Sequence, residues 1–205
     1  MKYILMLVIM FGSLSADLVY DGNRAFENGN KKKALKLFSK ACDGGNMGGC
    51  YNSAILYDKG YGVSKSEKIA LEFYTKACDG GHIEGCYNSA HMYDNGEGAR
   101  QDKRKALNLY TKACDGKLII GCFNLGLMYS NGDGVRQDKK KALNLYTKAC
   151  DGGNIGGCYN SGIIYSSGDG VRQDKKKAKE YFGLACDGGN DKGCKNYKIL
   201  NEQGI

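Results

Sequence analysis

Ten cysteines carry the most chemistry in this 205-residue sequence: Cys42, Cys50, Cys78, Cys86, Cys114, Cys122, Cys150, Cys158, Cys186 and Cys194. They form five Cys-x7-Cys pairs, each 36 residues from the next. A cysteine can be a nucleophile, a metal ligand or half of a disulfide. Zinc would want a shorter spacing and more imidazole than His82 and His91 supply, so no metal and no cofactor is expected. An even count behind a secretory leader reads as a disulfide framework. Two regular pairings exist. One joins Cys50 to Cys78, Cys86 to Cys114 and so on, and strands Cys42 and Cys194 at opposite ends. The other closes each Cys-x7-Cys pair and strands none. The second is therefore expected: Cys42–Cys50, Cys78–Cys86, Cys114–Cys122, Cys150–Cys158 and Cys186–Cys194.

Oxidised cysteines are not thiolate nucleophiles, and hydrolytic motifs are missing. The sequence has no S-x-x-K, S-D-N or K-T-G, no G-x-S-x-G and no H-E-x-x-H. Ser53, Ser89 and Ser161 recur at one phase without an evident Lys or His to activate them. No catalytic residue is assigned. A different constellation does recur: Asn52, Asn88, Asn124, Asn160 and Asn196, preceded by Tyr51, Tyr87, Phe123 and Tyr159. Ile55, His91, Leu127 and Ile163 follow one helical turn on. A side-chain amide offers two donors and two acceptor lone pairs, so it can engage a peptide group at both ends. The same amides could instead bond the adjacent repeat and set its spacing. Both roles stay open.

The elements that position these residues follow from the period. Residues 100–116 return at 136–152 with one change, Lys140 for Arg104, and weaker copies flank them. A fixed period of this size marks a stacked array of short supersecondary units. In the unit from Gly121 to Gly156, 121–129 reads as a first helix, broken by Asn131-Gly132-Asp133-Gly134. Asp138 caps a second helix in which Ala142, Leu145, Tyr146 and Ala149 share a face. That helix ends at Gly152, taken as the left-handed position. First helices are expected near 17–28, 50–60, 85–96, 121–131 and 157–167. Tyr57, Tyr93, Tyr129 and Tyr165 fall on their core side. The Gly-Asp-Gly turns lack the ligand count of a calcium loop. The fold class is all-α, a right-handed solenoid of helical hairpins (about 17–43, 50–79, 85–115, 121–151 and 157–187). A helix over 194–203 caps it, with a polar outer face at Lys195, Lys198, Asn201 and Glu202.

Residues 1–16 combine Lys2, an apolar run from Ile4 to Phe11 and a small-residue tail, and read as a signal peptide. No run is long enough to span a bilayer. The net charge is +8, with Lys triplets at 31–33, 139–141 and 175–177. Each triplet sits at a helix start beside Asp or Asn and reads as a solvated face, which argues against nucleic acid. The chain is expected to be secreted or periplasmic, and monomeric.

The pattern small-x-x-Asn-(Leu)-(Gly/Ala)-x-x-Tyr-x-x-Gly-x-Gly-Val-x-x-Asp-x-x-Lys-Ala resembles the Sel1-like repeat, a relative of the tetratricopeptide repeat. With one Cys-x7-Cys pair per unit and a leader, the chain resembles the Helicobacter cysteine-rich proteins. Where the family often has Leu after the Asn, this chain has Ser53, Ser89 and Ser161, with Leu only at 125. The resemblance implies penicillin binding and weak β-lactam hydrolysis, and it places the Asn and aromatic rows in a concave groove. The expected ligand there is an extended peptide, a peptidoglycan fragment or a β-lactam. Host or envelope proteins are a further class of partner.

Overall fold

The computed structural model describes residues 17–205, so the leader expected at 1–16 lies outside the described residues. Within them the chain folds into helices without a strand. Helix α1 covers 17–27. It is followed by α2 (Lys31–Asp43), α3 (Met47–Lys59), α4 (Glu67–Asp79), α5 (Ile83–Asn95) and α6 (Lys103–Asp115). Then come α7 (Ile119–Asn131), α8 (Lys139–Asp151), α9 (Ile155–Ser167), α10 (Lys175–Asp187) and α11 (Asp191–Glu202). The chain forms two compact units, one ending at Leu109 and one running from Tyr110 to Ile205.

In the first unit, Ala25, Ala34, Phe38 and Leu56 form one buried cluster, and Ala54, Ala70, Leu71, Tyr74 and Met92 another. The second unit repeats the arrangement with Ala142, Leu143, Tyr146 and Ile164, and with Ala178, Phe182 and Leu200. The small alanines let neighbouring helices approach, and one large ring per second helix fills the space between them. The expected face is corrected at one position: Leu143 is buried and Leu145 only half-buried. In α4 likewise Leu71 is buried and Phe73 half-buried. A second helix packs on both sides, so its apolar stripe is wider than i, i+3, i+4.

All five short-range disulfides form, with Cα–Cα separations of 4.4–4.6 Å and no free cysteine. Each clasps the end of a second helix to the start of the next first helix. Those first helices begin ahead of the expected starts, at Met47, Ile83, Ile119 and Ile155. Asn46, His82 and Asn154 act as side-chain caps there, accepting from Gly49 N, Gly85 N and Gly157 N. Asp138 and Asp174 cap α8 and α10 as the sequence implies. The terminal glycine differs from expectation. Gly152 has an ordinary φ of −85°, and the left-handed residue is the next one, Gly153, at +86°. In the third repeat that position is Lys117, at φ +67°, the one non-glycine residue with positive φ among those described. The outer face of α11 is not uniformly polar, since Tyr197 and Ile199 are exposed on it.

A glycine precedes the second cysteine of every pair, and it is there for space rather than for a turn. A Cβ on Gly49 would lie 2.7 Å from Ala41 Cβ and from the Phe38 carbonyl oxygen, and 2.8 Å from Cys42 N. The Cys42–Cys50 crossing brings backbone against backbone at this point. Gly49→Ala should therefore destabilise by about 1–3 kcal/mol despite alanine's better helix propensity. Next to it, a Cβ on Gly48 meets only the Asn46 side chain, at 3.2 Å. Gly48→Ala should be neutral or stabilise by about 0.5 kcal/mol. Urea midpoints of the two variants check this; equal shifts would remove the close-approach explanation.

Candidate ligand cleft on the first helices

In the first unit, α3 carries Tyr51 and Asn52, and α5 carries Tyr87 and Asn88. The Tyr51 ring rests on buried Tyr74 of α4 (5.7 Å between centroids) and stacks on His82 (4.4 Å, 18° between planes). Asn88 Nδ2 reaches the Tyr51 hydroxyl at 3.5 Å, the outer limit of a hydrogen bond, and Asn88 also bonds the Tyr74 hydroxyl. Burial drives the Tyr74 phenol well above its ordinary value, so it stays protonated at any physiological pH.

Tyr51, Tyr74 and Asn88 line a cleft of about 690 Å³ that also takes in Tyr87, His91 and Ile55, while His82 stands outside its lining. Its rim carries both signs of charge. Lys59 pairs with Asp58 and Lys65 with Glu67, each at 2.8 Å. His91 lies 4.0 Å from Glu97 and 3.2 Å from Asn95 Nδ2. The hydrogen bond to Asp58, then its charge, raises the Lys59 ammonium, and Glu67 does the same for Lys65. Asn52 is half-buried on α3 and is not part of the cleft lining.

The second unit presents the corresponding residues on α7 and α9. Phe123 leans on buried Tyr146 and Tyr159 on buried Phe182, each at 5.9 Å. Asn160 bonds the Tyr146 hydroxyl, which Ser130 also meets. Burial raises the Tyr146 phenol and these two bonds work against it. Asn124 is half-buried on α7. The pattern is common to both units: a first-helix ring sits on the buried ring of a second helix. At Asn88 and Asn160 the amide bonds a tyrosine hydroxyl rather than the backbone. The apolar periodicity accounts for the rings of Tyr74 and Tyr146. It says nothing of their hydroxyls, which are the site groups that sequence reasoning missed, nor of His82, which supports the Tyr51 ring from outside the cleft.

Other recurring residues fall elsewhere. Ser53, Ser89 and Ser161 have no exposed surface. Ser89 Oγ donates to the Cys86 carbonyl one turn back in α5, and Ser53 Oγ of α3 lies 3.4 Å from Ser39 Oγ of α2. Tyr57, Tyr93, Tyr129 and Tyr165 are half-buried. Tyr57 and Tyr165 stack on Phe73 and Tyr181, and Lys105 and Lys141 lie over the rings of Tyr93 and Tyr129. Gly132 and Gly134 take positive φ, which a turn requires. Among the described residues no helix is long and apolar enough to cross a membrane.

Comparison with known proteins follows the same period. The Sel1 repeat matches residues 17–46, 48–82, 83–118, 119–154 and 156–190, one match per helix pair, with α11 after the last. The sequence gives no match among curated proteins. Among solved structures, a protective antigen of uropathogenic Escherichia coli strains with an SLR fold aligns at a TM-score of 0.88 and 25% identity. That alignment covers 94% of this chain and 42% of the antigen, so the chain spans about two-fifths of that protein's length. A Sel1 repeat protein from Oxalobacter formigenes aligns at a TM-score of 0.81 and 22% identity, over 88% of this chain and 76% of that one. Cysteine-rich protein B of Helicobacter pylori is 32% identical over 62% of this chain and 94% of its own, at a TM-score of 0.49. The fold class is the all-α solenoid of Sel1-type hairpins, with one disulfide to each repeat. The chain belongs to the Sel1 repeat family.

Proposed function

We propose that the protein is a binding scaffold, secreted or periplasmic, whose first helices hold an extended amide-bearing ligand. The ligand is a peptide, such as an exposed segment of a partner protein, or a peptidoglycan fragment. One observation carries this reading: Asn88 lies in a cleft with Tyr51, Tyr74, Tyr87 and His91. Its bonds to the Tyr51 and Tyr74 hydroxyls leave part of its amide capacity for a peptide group, and the rings supply apolar area around it. The mixed-charge rim suits a ligand bearing both a cation and a carboxylate. Disulfides favour an oxidising, non-cytoplasmic compartment.

Penicillin binding, which the family resemblance implies, fits the same chemistry, because a β-lactam presents an amide and a carboxylate. Turnover by acyl transfer has less support, since Ser53, Ser89 and Ser161 are all buried. The test is a thermal-shift screen of peptides, muropeptides and β-lactams, followed by titration of the best binder against Asn88→Ala. Loss of the amide should raise its Kd by about tenfold. Melting should stay within a few degrees of the parent. An unchanged Kd would return Asn88 to a purely structural role, and hydrolysis of a chromogenic cephalosporin above the buffer rate would make the protein an enzyme.

A further inference from the structure

The second unit holds its excess charge in one place. Residues 133–141 and 169–179 contain nine cations and four carboxylates, while the rest of the unit contains six of each. All four carboxylates are engaged locally. Asp138 and Asp174 accept the Lys141 and Lys177 backbone N–H groups as helix caps, at 2.8 and 3.0 Å. Asp169 lies 3.6 Å from Lys139 Nζ, and Asp133 accepts from Asn131 Nδ2. Arg136, Lys140, Arg172, Lys175 and Lys176 are exposed and take part in no ion pair among the described residues.

The two basic stretches form one edge. The loop of the fifth repeat packs on the start of α8, where a Cβ on Gly170 would lie 2.5 Å from Lys139 Cβ. Lys140 lines the same cleft of about 660 Å³ as Arg172, Lys175 and Lys176, and Arg136 lines a neighbouring one of about 680 Å³. The starts of α8 and α10 add their dipoles to the same side. Gln137 and Gln173 fix the loops by donating to the Ser130 and Ser166 carbonyls.

The geometry points to this edge as a docking surface for an acidic polysaccharide. Its cations are strung along more than one repeat, which matches a linear polymer with regularly placed carboxylates or sulfates rather than a single compact anion. Single-stranded nucleic acid would want open aromatic faces for its bases. Here the rings of Tyr129 and Tyr165 lie under Lys141 and Lys177. Insertion into a bilayer would want exposed apolar side chains. The aliphatic side chains along the edge, Val135, Leu143, Val171 and Ile205, are all buried or half-buried. An oxidising compartment is also where acidic glycans are met. This surface is separate from the first-helix cleft, so it stands or falls independently of the peptide reading.

The experiment uses the oxidised protein and immobilised heparin as the probe, with phosphatidylglycerol vesicles and duplex DNA at the same salt. The double variant Lys140→Glu, Lys176→Glu places acids in the first turns of α8 and α10, where the helix dipole tolerates them, so folding is kept. It should elute at lower salt and bind heparin roughly tenfold more weakly at 0.1 M salt. Lys192→Glu, Lys195→Glu makes the same charge change on exposed α11 and should alter affinity less than about twofold. Equal losses in the two doubles would reduce the binding to general ion exchange and overturn the assignment. Vesicles or DNA bound as tightly as heparin would overturn it too.

Discussion

Reduction of all five disulfides should unfold the protein in native buffer. Each bridge closes a loop with a sequence separation of 8. On the chain-entropy account a loop of that size is worth about 2–3 kcal/mol, and five together about 10–15. A domain of this kind has about 5–15 kcal/mol in total. A repeat architecture has only neighbour contacts to fall back on. Oxidised, the chain should show full helical dichroism. With reductant it should lose that signal as thiols become titratable. Order of release follows burial. Cys42, Cys50 and Cys122 are at most 1% exposed, whereas Cys186 and Cys194 are half-buried, so the last bridge should open first. Mass mapping of trapped thiols checks the order. A fully reduced chain whose melting midpoint stays within a few degrees of the oxidised one would show that helix packing alone holds the fold.

The disulfide pairing could be read from the chain because it follows from counting: one pairing uses every cysteine and the other does not. The second-helix caps were legible for a related reason. Asp138 and Asp174 act on amides three residues away, within reach of sequence reasoning. The glycine before each second cysteine was not legible as a contact residue. A glycine needed for close approach looks the same in sequence as one needed for a turn, and only the crossing of α2 and α3 separates Gly49 from Gly48. The cleft was legible by halves. Spacing marks Tyr51, Tyr87 and Asn88 as a set. The Tyr74 hydroxyl comes from a second helix. The offset from Tyr74 to Asn88 recurs from Tyr146 to Asn160, but a spacing does not say that hydroxyl and amide meet. His82, a cap, only supports the Tyr51 ring. Leu143 shows the same limit, since a helix packed on two sides buries residues that a one-face template leaves outside.

Phe182→Ala should cost about 3–5 kcal/mol, the largest loss expected from a single core substitution in this chain. The ring is 2% exposed and packs with Ala178 and Leu200, against half-buried Tyr159, Tyr165 and Ile205. It also presses on Gly162, where a Cβ would meet Phe182 Cδ1 at 2.6 Å. Truncation therefore removes the filler between α9, α10 and α11, and the surrounding alanine and glycine cannot expand to close the gap. The melting temperature should fall by about 10 °C, from the usual entropy of unfolding for a chain of this size. Tyr159 should lose the support that holds its ring, so a ligand of the second unit would weaken along with stability. Phe182→Tyr separates the ring from the hydroxyl. In the preceding repeat the corresponding residue is Tyr146, whose hydroxyl bonds Asn160, and Asn196 occupies the matching place after Phe182. The tyrosine should be tolerated to within about 1 kcal/mol, because the register puts Asn196 after Phe182 as Asn160 stands after Tyr146. If Phe182→Tyr proved as damaging as Phe182→Ala, the ring would not be filling the space assigned to it, and the shared logic of the second helices would fail at this repeat.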